Sequence, residues 1–397
     1  MTRISIRRSG HRSQRLLAVG VGLLLLVAAC GKAGSSSSGG DTATVKIGTV
    51  VPLSGSAAAI AGQYLAGMTA AIEAANAKGG VNGHRIELVK VDDGFEVPRT
   101  IAGIRELAQK DGVAGIIGPY GTNAAAAAKP IAESVKVPLV GPLAFAQTLY
   151  DPVSPYLFPL WPSQESIYRA LTEYAITKLG AKRIAVLAND GTVGNETIAG
   201  TKAAAAAHGL TPVSELRSQN AQADYSGVMG QVARATPDVV VMQSDTATMA
   251  KVLADAHRAG LNVPFFGGVS AGDGGMPKLA GADANNAYGT VNIDLTGSAP
   301  GWSEYIDAMG KYTKADPATS FGASGYAAAQ VMLGAVAKVS GAVTADKVAK
   351  ALEGNEFQTL AGPVTFTKDN HLGVKTLLLT VVKDQKVTLT GDKLTAS

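Results

Sequence analysis

The chain is 397 residues long, 46% hydrophobic and 17% charged, with one cysteine, Cys30. This composition excludes an intrinsically disordered chain and a disulfide-stapled monomer, and the length exceeds the roughly 250–300 residues that one hydrophobic core supports, so two lobes are expected. The formal charge of +4 belongs to the N-terminus: five of the 35 basic residues precede residue 30, leaving 30 against 31 acidic ones, a net −1 with no basic excess to attract nucleic acid.

Residues 1–29 read as an export signal. Arg3, Arg7, Arg8, Arg12 and Arg15 form a basic stretch with no acid, and residues 16–29 are almost wholly apolar. That run is shorter than the about 20 residues a membrane-spanning helix needs. It ends in Val27-Ala28-Ala29-Cys30, small residues before a cysteine, which resembles a lipobox and predicts a diacylglycerol anchor on Cys30. The alternative is an ordinary signal with an incidental cysteine. Residues 30–41, with four consecutive serines from Ser35 to Ser38, read as a flexible tether. Arg7-Arg8 also raises twin-arginine export, although Ser9-Gly10-His11 lacks the apolar pair expected after it.

From residue 45 the pattern alternates short apolar runs with helical periodicity. It predicts a strand over 45–51, a helix over 61–78 ending at Gly79-Gly80, a turn at Asn82-Gly83, a strand over 86–91 and a helix over 98–110 with Pro98 in its first turn. A strand over 113–117, a helix over 123–135 and a strand over 138–140 follow. A second series predicts helices over 165–179, 196–208, 225–235 and 246–259, with strands over 183–188, 212–216, 239–242 and 264–266. Two such series imply two α/β lobes with parallel sheets covered by helices. Beyond them, helices over 302–312, 325–340 and 344–352 and short strands over 364–366, 377–382 and 386–389 are too few in strands for a third lobe. They are added to the first two, which requires the chain to cross between lobes more than once.

Gly268-Val269-Ser270-Ala271-Gly272 matches the nucleophile-elbow pattern, with His371 downstream. An elbow needs a helix straight after the serine, and Asp273-Gly274-Gly275 predicts a glycine-rich loop instead. His11, His84, His208, His257 and His371 are scattered without metal-ligand spacing, so no metal or other cofactor is expected. Asp92-Asp93 is read as a loop-shaping pair in preference to an acid–base pair. Gly118-Pro119-Tyr120-Gly121-Thr122-Asn123 joins a predicted strand to a predicted helix. It offers unpaired backbone N–H groups at a helix N-terminus on the C-terminal edge of a parallel sheet, a ready site for an anion. Thr122 or Asn123 as a simple helix cap is the competing reading.

A series of short segments carries a family resemblance: Lys46-Ile47-Gly48 leading to Pro52-Leu53-Ser54-Gly55, the run from Ala74-Ala75-Asn76 to Val81-Asn82-Gly83, and Asp92-Asp93. Ile116-Ile117-Gly118-Pro119, Val137-Pro138-Leu139-Val140, Ala259-Gly260-Leu261 and Gly362-Pro363-Val364-Thr365-Phe366 complete it. In that order, over nearly the whole chain after the tether, they resemble the type I periplasmic binding family, in its leucine/isoleucine/valine-binding branch of ABC-importer receptors. The resemblance implies an α/β fold of two Rossmann-like parallel-sheet lobes joined by a three-crossing hinge, a Venus flytrap. It implies crossings near Pro162, Asp294 and Ala361, with lobe one at 42–162 and 295–361 and lobe two at 163–294 and 362–397.

The same resemblance implies a ligand site at Tyr120, Gly121, Thr122 and Asn123, with the ligand carboxylate at the Thr122 hydroxyl. Leu143, Ala144 and Phe145 stand where a second hydroxyl donor is usual, and Val193 replaces an aromatic ring. The acid that pairs with a ligand ammonium falls at Val269, and Ser270 beside it carries no charge. Asp245 stands where an aromatic is usual, as an ammonium partner or as the cap of the following helix. Phe321 matches an aromatic wall. The segment at 268–272 becomes a cleft loop of a protein that is not an enzyme. The implied function is an extracytoplasmic solute-binding receptor for a small hydrophobic amino acid or related carboxylate, with ABC permease subunits and a lipid anchor in the membrane as partners and no nucleic acid. The alternatives are a receptor for aromatic or aliphatic acids lacking an amine, and an exported ligand sensor for a membrane signalling partner. DNA-binding relatives of the fold begin with a helix-turn-helix, where this chain has its signal and tether.

Overall fold

The computed structural model describes residues 44–272 and 274–396. The predicted signal at 1–29, the tether at 30–41 with Cys30, and Asp273 lie outside the described residues. Among the described residues no helix is long and apolar enough to cross a membrane.

The first series runs β1 (Thr44–Val51), α1 (Ala58–Ala77), β2 (Arg85–Asp92), α2 (Val97–Glu106), β3 (Ile116–Ile117), α3 (Thr122–Val135), β4 (Leu139–Val140) and β5 (Leu157–Phe158). The second runs α4 (Gln164–Leu179), β6 (Ile184–Asn189), α5 (Thr192–Ala207), β7 (Ser214–Ser218), α6 (Ser226–Arg234), β8 (Val239–Met242), α7 (Thr246–Arg258), β9 (Phe265–Phe266), α8 (Gly268–Gly272), α9 (Met276–Ala280) and β10 (Ala287–Val291). Then come α10 (Trp302–Tyr312), α11 (Ser320–Lys338), α12 (Ala345–Leu352), β11 (Glu356–Thr359), β12 (Gly362–Thr365), β13 (Thr376–Lys383) and β14 (Lys386–Thr395).

The first five strands form a parallel sheet in the order β2-β1-β3-β4-β5. In the second sheet, ordered β14-β13-β10-β9-β8-β6-β7, the strands β6 to β10 are parallel and the final hairpin is antiparallel. The inner strands β3, β4, β6 and β8 are buried on both faces, which is why they read as apolar runs, while the outer β2 and β7 keep exposed positions. Ile47 and Val51 of β1 pack with Tyr64 and Met68 of α1, while Val50 packs with Ile104 of α2 and Ala125 of α3. In β8, Val240 and Met242 join the core under α6 and α7, and Val239 and Val241 join the core under α4.

The helices after residue 300 cover the first sheet. Tyr326 and Met332 of α11 lie in the same core as Tyr64 and Met68 of α1. The two helices approach closely because glycines face backbone: a Cβ on Gly67 would lie 1.9 Å from the Gly322 carbonyl oxygen, and one on Gly325 would lie 1.9 Å from that of Tyr64.

The chain passes between the sheets at 159–163, at 292–301 and at 366–375. Pro162 and Asp294 fall within the first two passages. Ala361 lies in the β11–β12 turn; Val364 and Phe366 after it pack in the first core with Phe158 and Trp161, and the chain joins the second sheet at β13.

Candidate ligand-binding site

Both sheets reverse their strand order, between β1 and β3 in the first and between β6 and β8 in the second. In open α/β sheets the crevice outside the strand C-termini at such a point is where ligands bind. In the first lobe, β3 runs out through Gly118 and the Tyr120–Gly121 turn into α3. Gly121 has φ +100, a conformation L-residues rarely adopt, and its N–H donates to the Leu143 carbonyl at 3.1 Å. Leu143 returns a hydrogen bond to the Pro119 carbonyl at 3.1 Å. The loops after β3 and β4 are thereby stitched together, which brings Tyr120–Asn123 beside Leu143–Phe145.

No side chain caps α3: the cap position is Gly121, and Thr122 is the first helical residue. The Thr122 hydroxyl instead accepts the Phe145 N–H at 3.4 Å, a long contact that leaves its own proton free. The first-turn amides of α3 have no intrahelical acceptor, and the Asn123 side chain is exposed. Leu143 and Ala144 are buried, so they support the loop. Tyr120, Phe145 and Phe321 are half-buried and rest on the first core. Burial pushes the Tyr120 phenol above its usual range and keeps it neutral.

The second lobe presents Val193 in the first turn of α5, half-buried, and Val269 in α8, 39% exposed. Asp245 caps α7: one carboxylate oxygen accepts the Thr248 N–H at 2.8 Å and the other accepts the Thr248 hydroxyl at 2.8 Å. Of the two sequence readings of Asp245, the cap is the one realised in these contacts. Ser270 donates its hydroxyl to the Ser244 carbonyl at 2.6 Å.

The segment at 268–272, expected as a cleft loop, is a helical turn, α8. Its small residues allow it: a Cβ on Gly289 of β10 would lie 2.2 Å from the Gly272 nitrogen, so the turn rests directly on the strand. Ser270 is not joined to His371, which is 1% exposed, stacked on Phe158 at 4.4 Å, with Nδ1 2.8 Å from the Leu157 carbonyl oxygen. Among the described residues no group of His, Cys, Asp and Glu is placed to hold a metal ion.

Three polar residues that the sequence does not single out stand at strand ends. Gln243 Oε1, Ser244 Oγ and Asn292 Oδ1 are buried at the ends of β8 and β10 with no protein partner. Buried polar atoms are costly unless bonded, and these three stand just past the C-terminal ends of parallel strands. Their position immediately after a strand was the available signal.

A family model for periplasmic binding proteins matches residues 44–386. The chain belongs to the periplasmic binding protein family. Its two-lobed architecture is that of the type I binding proteins. This binding protein is 26% identical over 333 residues to the Leu/Ile/Val-binding protein homolog 7 of Brucella abortus, covering 80% of this chain and 82% of the relative. Among solved structures it resembles the branched-chain amino acid transporter binding protein LivJ of Streptococcus pneumoniae in complex with isoleucine (TM-score 0.72, 22% identity, 89% of this chain and 100% of that one). It equally resembles an ABC transporter solute-binding protein of R. palustris in complex with benzoate (TM-score 0.72, 22% identity, 89% and 96%).

Proposed function

We propose that this binding protein is the extracytoplasmic receptor of an ABC importer, and that its lobes close around a small, mostly apolar carboxylate. The observation that carries this reading is the Thr122 hydroxyl, which is not used as a cap and stands with the free amides of α3 beside Phe145. A carboxylate there meets a hydroxyl proton and helix N-terminal N–H groups. Phe145 and Phe321 of lobe one and Val193 and Val269 of lobe two offer apolar surface, whose burial stabilises a ligand by about 25 cal/mol per Å².

The lobe-two contacts favour an acid without an α-ammonium. Both oxygens of Asp245 already serve Thr248, and Val269 cannot pair with a cation; a buried unpaired ammonium would be costly. A second reading, an aliphatic amino acid whose ammonium shares Asp245 with Thr248, draws on the names of the relatives. Calorimetric titration of leucine, phenylalanine, their deaminated acids and benzoate against the wild type and Asp245→Asn separates the two. Tight binding of the acids, unchanged in the variant, is expected. Preferential binding of the amino acids, weakened tenfold or more by Asp245→Asn, would transfer the assignment to the second reading.

The same reading places the mature chain on the membrane surface through Cys30, at the end of the tether. One acyl chain holds a protein only marginally, and two hold it stably. Cys30→Ala is expected to move the protein from the membrane fraction to the soluble one; unchanged retention would contradict the anchor.

A further inference from the structure

Phe95 lies on the loop between β2 and α2 and took no part in the sequence reading. Phe95 is 50% exposed and its backbone has φ +67, a region that non-glycine residues seldom occupy. A strained backbone carrying a water-exposed aromatic ring is unfavourable on two counts, so other contacts must fix it. The Asp92-Asp93 pair supplies them. Asp93 is fully buried; one of its oxygens accepts the Phe95 N–H at 3.0 Å and the other accepts the Thr100 hydroxyl at 2.7 Å. Asp92 accepts the Gly94 N–H at 2.9 Å and the Leu53 N–H at 2.9 Å on one oxygen, and the Ser54 hydroxyl at 2.7 Å on the other. Two carboxylates therefore hold one exposed ring in place.

The ring is held over the anion loop. It meets Tyr120 edge-on, with centroids 5.9 Å apart. It also covers Gly121, where a Cβ would lie 2.9 Å from the Phe95 Cε2, so residue 121 must lack a side chain for the ring to sit there. Gly121 immediately precedes Thr122. Leu53, 42% exposed, is tied to the same Asp92 carboxylate.

We propose that Phe95 is a specificity-determining residue of the ligand cleft, a rigid aromatic plate against which the ligand's apolar body rests when its carboxylate occupies the Thr122 loop. This rests on the carboxylate reading above and deepens it: a flat aromatic acid gains ring–ring contact with Phe95 that a short aliphatic chain does not.

The test is calorimetric titration of the isolated protein with benzoate, 3-phenylpropanoate and 4-methylpentanoate, alongside the unfolding temperature without ligand, for the wild type, Phe95→Gly and Phe95→Asn. Both substitutions tolerate positive φ, so the ligand-free unfolding temperature is expected to hold or rise. The Kd for the aromatic acids is expected to increase at least tenfold, and that for 4-methylpentanoate by less. Kd values within twofold of wild type would overturn the inference, as would a lowered unfolding temperature in both variants with unchanged affinity. A wild type that binds none of the three acids would instead overturn the carboxylate reading, and this inference with it.

Discussion

Asp92 ends β2 and anchors the lobe-one rim through the Ser54 hydroxyl and the Leu53 and Gly94 N–H groups. Those donors, the Ser54 hydroxyl foremost, lower its carboxyl to about 2. Because the folded value lies below the unfolded one of about 3.9, the stabilisation is present above about pH 4 and is lost as the pH falls towards 2. Unfolding temperatures measured from pH 6 to pH 2 should therefore fall less steeply for Asp92→Asn than for wild type, with the difference confined to the acid end. Parallel curves would mean that Asp92 does not carry this linkage. The sequence already marked Asp92-Asp93 as a loop-shaping pair. The sequence does not single out Phe95, whose interest lies in a backbone angle and in its exposure, neither of which residue type or spacing encodes. Gln243, Ser244 and Asn292 follow strands, which the sequence does signal, but only packing reveals that their polar atoms lack a partner.

At the scale of elements, the close approach of α1 and α11 ties the late helices to the first sheet. Gly325→Ala would bring a methyl group against the Tyr64 carbonyl, where a Cβ has 1.9 Å. Relief requires the helices to part, and overpacking of this kind costs about 1–3 kcal/mol. Chemical denaturation should show that loss; a variant as stable as wild type would show that the interface has slack. Elements with strong local signals were legible. β8 is a run of Val239-Val240-Val241-Met242, and α7 begins with the Asp245 cap. β5 and β10 were not: β5 is two residues long between prolines, and β10, Ala-Tyr-Gly-Thr-Val, has neither an apolar run nor a clean alternation. α8 runs against propensity, since Gly-Val-Ser-Ala-Gly favours a loop and helical geometry comes from its seat on Gly289.

For the whole molecule, two lobes are joined by three crossings. Near the first crossing, Glu196 of α5 accepts the Gln147 N–H of the β4–β5 loop at 2.8 Å, and burial raises its carboxyl above the usual range. Tyr150 packs against cores of both lobes and donates its hydroxyl to the Trp161 carbonyl. At the other crossings a hollow of 610 Å³ is bounded by Ile293, Leu360, Val374, Lys375 and Leu378, drawn from both lobes, so its shape depends on the angle between them. In the proposed receptor, that contact and that gap are where closure would turn, a motion of the microsecond-to-millisecond class. That two lobes exist followed from length and strand count, but the third passage was hard to locate, because β12 and Phe366 stay with the first core before the chain reaches β13. A receptor that closes around a bound small molecule contracts, so small-angle X-ray scattering of the protein with and without a saturating ligand from the titration series is expected to show a smaller radius of gyration with ligand, whereas superimposable profiles at proven saturation would mean that the lobes do not close.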